Sequence, residues 1–374
     1  MKKAACVLAV LLLLGSCAHA VSAESYIAVD ALTGAVLAER NAGERRLIAS
    51  TTKLATAMTV LSLLGDREDA LGQTVVISDA AVRVEGSSMY LKPGAEVTVR
   101  TLLYGLLLES GNDAALALAE YCGNGSVDAF VDEMNALADT LGLADTHFAN
   151  PHGLDDEAHY STARDLAVLA LHAMEDERLR TITSARSWRA EGYALSNHNR
   201  LLRMVEGAEG VKTGFTKAAG RCLISSVSRG GRRVVVVTLN APDDWNDHRA
   251  LYDAAFDGMT VREYLAEGSL AAELRVQSGT ACTVGVRAPA GIAMNLTDEE
   301  AARAKLRLFL PHFVYAPVQA GDAAGTAVLT LDGRTLCTAE LVYETDVGVR
   351  APRPSNAARL FAFFARLLRI QPED

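Results

Sequence analysis

The apolar positions along this chain change their spacing several times, and each change marks a change of structure. An uninterrupted apolar run of eleven residues, Ala4 to Leu14, follows Met1-Lys2-Lys3 and precedes the small residues Ala18-His19-Ala20 and Val21-Ser22-Ala23. A basic start, a short apolar stretch and a small-residue exit predict a secretory signal over residues 1–23. The run falls well short of the roughly 20 residues that span a bilayer. Leu14-Gly15-Ser16-Cys17 leaves a second route open, lipoprotein processing with acylation at Cys17.

Beyond the leader, Tyr26-Ile27-Ala28-Val29-Asp30 and Ala35-Val36-Leu37-Ala38-Glu39 flank Leu32-Thr33-Gly34, which predicts a β-hairpin. From Lys53 to Leu64 the pattern is a helical run stopped by Gly65, so Ser50 falls at or near a helix N-terminus. Residues 76–100 mix short strand-like pieces with turn residues, a loop-rich lobe. Helices predicted over Thr101–Glu109 and Asp113–Tyr121 leave Ser110-Gly111-Asn112 on a tight interhelical turn. Residues 126–175 read as helical apart from Asn150-Pro151-His152-Gly153, a turn cluster with no obvious chemistry of its own. Arg221–Val227 and Arg233–Asn240 are β-rich around Ser228-Arg229-Gly230-Gly231, and Lys212-Thr213-Gly214 lies just ahead of them in a strand predicted over Gly210–Thr216. Strands, a long helical insertion and three antiparallel strands imply an α/β domain, residues 24–262, whose sheet draws on both ends of the segment.

From about residue 264 the pattern shortens to strands at Glu273–Gln277, Thr283–Arg287, Leu306–Leu310, Ala327–Leu331 and Thr335–Val342, a small all-β domain over residues 263–352. The tail, 353–374, returns to helical spacing. Leu360, Phe361, Phe363, Phe364, Leu367, Leu368 and Ile370 fill one half of a wheel, and Arg359, Arg366 and Arg369 gather on the other. That division suits an anionic membrane surface; a helix docked on its own protein is the alternative.

Half of the 374 residues are hydrophobic, more chain than one core usually serves. Without the leader, 34 basic residues face 46 acidic ones, a net charge of −12, which argues against nucleic acid as a partner. Cys122, Cys222, Cys282 and Cys337 follow the leader with no Cys-x-x-Cys, and no His-Glu-x-x-His occurs, so neither a metal nor another cofactor is called for. Export would allow a Cys282 to Cys337 bridge; free buried thiols are the plainer reading.

Three strings carry candidate chemistry: Ser50-Thr51-Thr52-Lys53, Ser110-Gly111-Asn112 and Lys212-Thr213-Gly214. A serine hydroxyl needs a neighbouring base, and Lys53, one helical turn on, can reach it. A lysine is a base only when neutral, a state favoured by burial, by nearby positive charge such as Lys212, and by a helix N-terminus. Ser110 can pass a proton to a leaving nitrogen and Asn112 can hold an amide. Lys212 and Thr213 offer an ammonium and a hydroxyl to an anion, while Gly214 leaves room for a substrate backbone along the strand. Each string alone also fits helix capping or a surface strand; their order and local structure give them weight. No Gly-x-Ser-x-Gly occurs to favour a Ser-His-Asp triad.

Together with Leu107-Leu108-Glu109-Ser110-Gly111-Asn112-Asp113-Ala114-Ala115, Asn150-Pro151-His152-Gly153-Leu154, Tyr160-Ser161-Thr162-Ala163-Arg164-Asp165 and Val211-Lys212-Thr213-Gly214-Phe215-Thr216, these strings resemble the serine-type D-Ala-D-Ala carboxypeptidases, the low-molecular-mass penicillin-binding proteins of the bacterial cell wall. The resemblance implies a penicillin-recognising, transpeptidase-like fold followed by a β-rich domain and an amphipathic anchor, on the outer face of the cytoplasmic membrane. It implies a peptidoglycan stem peptide as substrate and β-lactams as inhibitors. Carried over by position, Ser50 is acylated and Lys53 is its base. Ser110 relays the proton, Asn112 holds the peptide, and Lys212 with Thr213 binds the terminal carboxylate. The amides of Ser50 and Phe215 form the oxyanion hole. Some relatives carry histidine where Phe215 stands, so the side-chain wall differs here. A serine β-lactamase and a non-catalytic wall-binding protein remain as alternatives. Against the first, the Glu-x-x-x-Asn string after Asn112, Glu120 to Asn124, sits too close to it.

Overall fold

The computed structural model describes residues 21–65, 69–351 and 355–367. The chain divides after Asp257 into two compact units. Most of the leader, including Cys6 and Cys17, and the tail residues Leu368, Arg369 and Ile370 lie outside the described residues. Of the residues read as leader, Val21, Ser22 and Ala23 are described. Ser22 donates through its backbone N–H and its hydroxyl to Asp247, at 2.7 and 2.6 Å, and Ala23 is fully buried.

The first unit opens with the hairpin β1 (Ser25–Asp30) and β2 (Val36–Arg40), followed by helix α1 (Thr52–Leu64). A short ribbon pairs β3 (Thr74–Val76) with β4 (Glu96–Thr98), and helices α2 (Val99–Tyr104), α3 (Asn112–Cys122), α4 (Val127–Thr140), α5 (Ala163–Ala173) and α6 (Glu177–Ser184) follow. A second ribbon, β5 (Ser187–Ala190) with β6 (Tyr193–Ser196), and the single turn α7 (Leu201–Met204) lead into β7 (Ala208–Thr216), β8 (Gly220–Arg229), β9 (Arg232–Leu239) and α8 (Asp244–Phe256). The helical reading of 126–175 was too broad: residues 141–162 form turns and isolated bridges, because Gly142 and the Asn150-Pro151 turn interrupt the helical pattern.

The five-stranded sheet has the order β2-β1-β9-β8-β7, so its first and last strands in sequence meet at its centre, with Ile27 opposite Val237. α5 covers one face and α8 the other. Covered on both sides, β9 needs no alternation, and Val234, Val235, Val236 and Val237 are all buried. α1 is buried on nearly every side from Thr52 to Leu61, packed by α3, α4 and α5, which explains its apolar character all round.

The second unit is the all-β domain. Its strands are β10 (Met259–Leu265), β11 (Leu270–Gln277), β12 (Thr283–Arg287), β13 (Ile292–Thr297), β14 (Lys305–Phe309), β15 (Phe313–Tyr315), β16 (Ala323–Leu331) and β17 (Arg334–Tyr343). Six form a sheet in the order β14-β16-β17-β12-β11-β15, and β10 pairs with β13. A short helix, α9 (Asp298–Arg303), follows β13, opened by a capping box between Thr297 and Glu300. The tail forms α10 (Asn356–Leu367). Cys122, Cys222, Cys282 and Cys337 are free; Cys282 is exposed and Cys337 half-buried, so neither is the buried thiol expected.

One buried ion pair fixes the sheet's centre. Asp30 at the end of β1 pairs with Arg232 at the start of β9 and accepts from Leu32 N–H at 2.8 Å, closing the first hairpin turn. Asp30→Ala strands a buried guanidinium and is expected to cost about 3–5 kcal/mol, measured as a fall in the urea midpoint; a loss below about 1 kcal/mol would show that the pair does not support the fold.

Candidate active site

Ser50 lies in the 3₁₀ turn Ala49–Thr51 that leads directly into α1, so its position is set by a largely buried helix. Lys53, on the first turn of that helix, is fully buried. Its Nζ lies 2.9 Å from Ser50 Oγ, 2.6 Å from Asn112 Oδ1 and 2.7 Å from the carbonyl oxygen of His152. The two carbonyl-type oxygens only accept, so a neutral amine gives them its two hydrogens and turns its lone pair towards Ser50. Burial, and then the charge of Lys212, hold the Lys53 pKa well below the ordinary lysine value, while Asp113 opposes the shift.

The second triplet sits at a break in the helical lobe. α2 runs on into a π-helical turn, Gly105–Glu109, which ends at Ser110 in the left-handed conformation, φ +62°. α3 then starts at Asn112, whose side chain donates to the carbonyl of Glu85 at 2.6 Å while accepting from Lys53. The sequence gives the neighbouring Asp113 no role beyond the start of a helix. Its carboxylate accepts from the N–H groups of Met89 and Leu91, both at 3.0 Å, and from Ser88 Oγ at 2.7 Å, which fastens the 85–91 loop beside the site. The Asn-Asp step after Ser110-Gly111 was the available signal.

β7 is the edge strand of the sheet and carries the third triplet. Lys212 is buried, its Nζ donates to the carbonyl of Thr213 at 2.7 Å, and burial pulls its pKa to about 7. Gly214 lies so close to the Ser50 turn that a Cβ there would stand 3.0 Å from the amide nitrogens of both Ser50 and Thr51. Phe215 is 64% exposed.

The Asn150-Pro151-His152-Gly153 cluster does bear on the chemistry, contrary to the sequence reading, because its backbone supplies an acceptor for Lys53. Asn150 Oδ1 accepts from the N–H groups of His152 and Gly153, and the carbonyl of Pro151 accepts from Thr56 Oγ1 at 2.6 Å, clamping the turn onto α1. Backbone carbonyls have no residue-type signature, which is why sequence could not find this one.

A cleft of about 260 Å³ runs between the helical lobe and the edge strand. Ser50, Ser110, Thr213, Gly214 and Phe215 line it, as do Ser87, His198, Arg221, Asp244 and Trp245. The structure thus gathers all eight predicted residues: five on the cleft wall, Lys53 and Asn112 hydrogen-bonded beneath Ser50, and Lys212 buried on β7, on the strand face that Gly214 turns to the Ser50 turn.

The family described as D-alanyl-D-alanine carboxypeptidase matches residues 15–243. The chain belongs to that family. Residues 260–349 match the C-terminal domain of penicillin-binding protein 5. The D-alanyl-D-alanine carboxypeptidase DacF of Bacillus subtilis is 32% identical, with 87% of this chain and 86% of that protein covered. DacC of Escherichia coli is 33% identical over 88% and 85%. The crystal structure of penicillin-binding protein 5 from Haemophilus influenzae aligns with a TM-score of 0.61 at 30% identity, covering 88% of this chain and 98% of that one.

Gly153 adopts φ +84°, and a Cβ there would stand 2.0 Å from the carbonyl oxygen of Ala49. Gly153→Ala is therefore expected to cost about 1–3 kcal/mol or more in stability and to slow reaction at Ser50 by displacing its turn. An unchanged unfolding midpoint would show that the turn yields without cost.

Proposed function

We propose that the protein removes the terminal D-alanine from peptidoglycan stem pentapeptides through an acyl-enzyme on Ser50, and that penicillins acylate the same serine. The observation that carries this reading is the contact of a buried, readily neutral Lys53 amine with Ser50 Oγ at 2.9 Å. Ser50 gives its proton to Lys53 as Oγ attacks the penultimate D-alanine carbonyl, and the C–N bond then breaks. The proton reaches the departing amine through Ser110, and water releases the shortened peptide. Asn112 orients the stem peptide, which lies along the open edge of β7. The amides of Ser50 and Phe215 receive the developing oxyanion. Thr213 offers its hydroxyl to the terminal carboxylate, and Lys212 adds positive charge from its buried place on β7.

Among the described residues, the cleft lining offers no unpaired carboxylate for the deacylation a β-lactamase needs. Glu120 lies near the end of α3, away from the residues lining the cleft, and Asp244, the carboxylate in that lining, is paired with Arg221 at 3.0 Å. A penicilloyl enzyme is therefore expected to persist.

The expected outcomes are D-alanine release from a pentapeptide, seen by mass analysis, and covalent labelling at Ser50 by penicillin. Uptake of label by Ser50→Ala would overturn the reading. Because protonation of Lys53 removes the base, kcat/KM should fall as pH drops through its titration. Lys212→Met removes a charge that disfavours the Lys53 ammonium, so it should move the acid limb to higher pH. An unmoved limb would contradict the coupling.

We also infer that α10 attaches the protein to the outer face of the membrane. Leu360, Phe361, Phe363 and Phe364 are exposed on the helix, and among the described residues no helix is long and apolar enough to cross a bilayer. Removing residues 355–374 should abolish sedimentation with anionic vesicles while D-alanine release persists. Undiminished sedimentation would instead point to Cys17 acylation or a retained leader.

A further inference from the structure

The cleft holds a fixed positive charge that none of the three strings supplies. Lys212 does not line it; it is buried, and its Nζ donates to the Thr213 carbonyl. His198, which does line it, faces Glu109 at 3.1 Å. The remaining cation of the lining is Arg221, on β8 directly opposite Phe215 of the edge strand.

Arg221 is held from two sides. Asp244, the first residue of α8, is buried, accepts from Trp245 N–H through Oδ1 at 2.9 Å and pairs with Arg221 Nη2 through Oδ2 at 3.0 Å. The guanidinium also lies over the Trp245 ring, 5.5 Å from its centroid, and Arg200 approaches the same ring at 5.9 Å. A guanidinium has five donors in a rigid fork, and Asp244 engages one nitrogen. The Arg221 side chain is 41% exposed, so the rest of its fork is open to a ligand in the cleft. An arginine fixed in this way needs little further ordering to take a carboxylate.

We infer that Arg221, positioned by Asp244 and Trp245, is the guanidinium that receives the terminal carboxylate of the substrate, acting beside the Thr213 hydroxyl. The inference rests on the carboxypeptidase reading of the cleft and adds the residue that makes it select a free C-terminus. Lys212 then shapes the field around Lys53, while Arg221 makes direct contact with the anion.

The test compares D-alanyl-D-alanine-ended peptide with its C-terminal amide, using the full mature protein. The ratio of kcat/KM for acid over amide is expected to fall on the order of tenfold to a hundredfold in Arg221→Gln, mainly through KM. Arg221→Lys, which keeps the charge and loses the fork, should recover part of it. Asp244→Asn, which loosens the guanidinium without removing it, should lower the ratio less than Arg221→Gln. A ratio unchanged in Arg221→Gln, with the wild type still preferring the acid, refutes the Arg221 assignment alone. Equal loss on acid and amide also refutes it, because that is what a merely structural role would give. Absence of turnover by the wild type on either peptide refutes the carboxypeptidase reading and this inference with it.

Discussion

A single amine kept out of water organises the catalytic unit. Lys53 can sit fully buried because three oxygens surround it, and each comes from a different part of the fold: the 3₁₀ turn before α1, the first turn of α3 and the backbone of the 150–154 turn. Burial of an ammonium is costly, so the amine's proton affinity falls and the neutral form becomes accessible. The same burial that creates a base therefore demands that α1, α3 and the turn stay where they are. The close packing around α1 and the contacts of Gly153 and Gly214 with the Ser50 turn hold them there.

Charge in the cleft is arranged in two layers. Lys53 and Lys212 lie inside, beneath and behind the nucleophile, where burial weakens their hold on protons. At the cleft wall, His198 with Glu109 and Arg221 with Asp244 are paired and partly solvated, so they keep their geometry without perturbing the base strongly. This separation leaves fixed donors at the cleft wall open to an anion while the Lys53 amine stays dry. Ser110, between the layers, takes its position from a left-handed residue at the end of a π-helical turn, a conformation held by its surroundings.

The β-rich unit and the tail obey simpler rules. Five strands of the β-rich unit overlap the residues the pattern picked out, β12 with the same bounds, and β16 and β17 extend those predicted over Ala327–Leu331 and Thr335–Val342, while β10, β13 and β15 left no such pattern. β7, β8 and β9 were legible for the same reason. The 141–162 segment was misread because isolated apolar residues in turns can mimic helical spacing, and what holds that segment is side-chain and backbone contact with α1, which leaves no periodic trace.

By itself the amino-acid order picked out the candidate groups and their local setting: a serine one turn ahead of a lysine, a polar triplet between helices, a cationic triplet on a strand. Local spacing and turn chemistry decide such features, so they survive translation into structure nearly unchanged. Tertiary structure decided what those groups experience. The His152 carbonyl, the Asp113 clamp, the burial of Lys212 and the Arg221–Asp244–Trp245 unit all join residues distant in sequence, or involve backbone atoms that every residue shares. Proton affinity and anion selection arise from desolvation and from the juxtaposition of charges, and both exist only once the chain has closed around them.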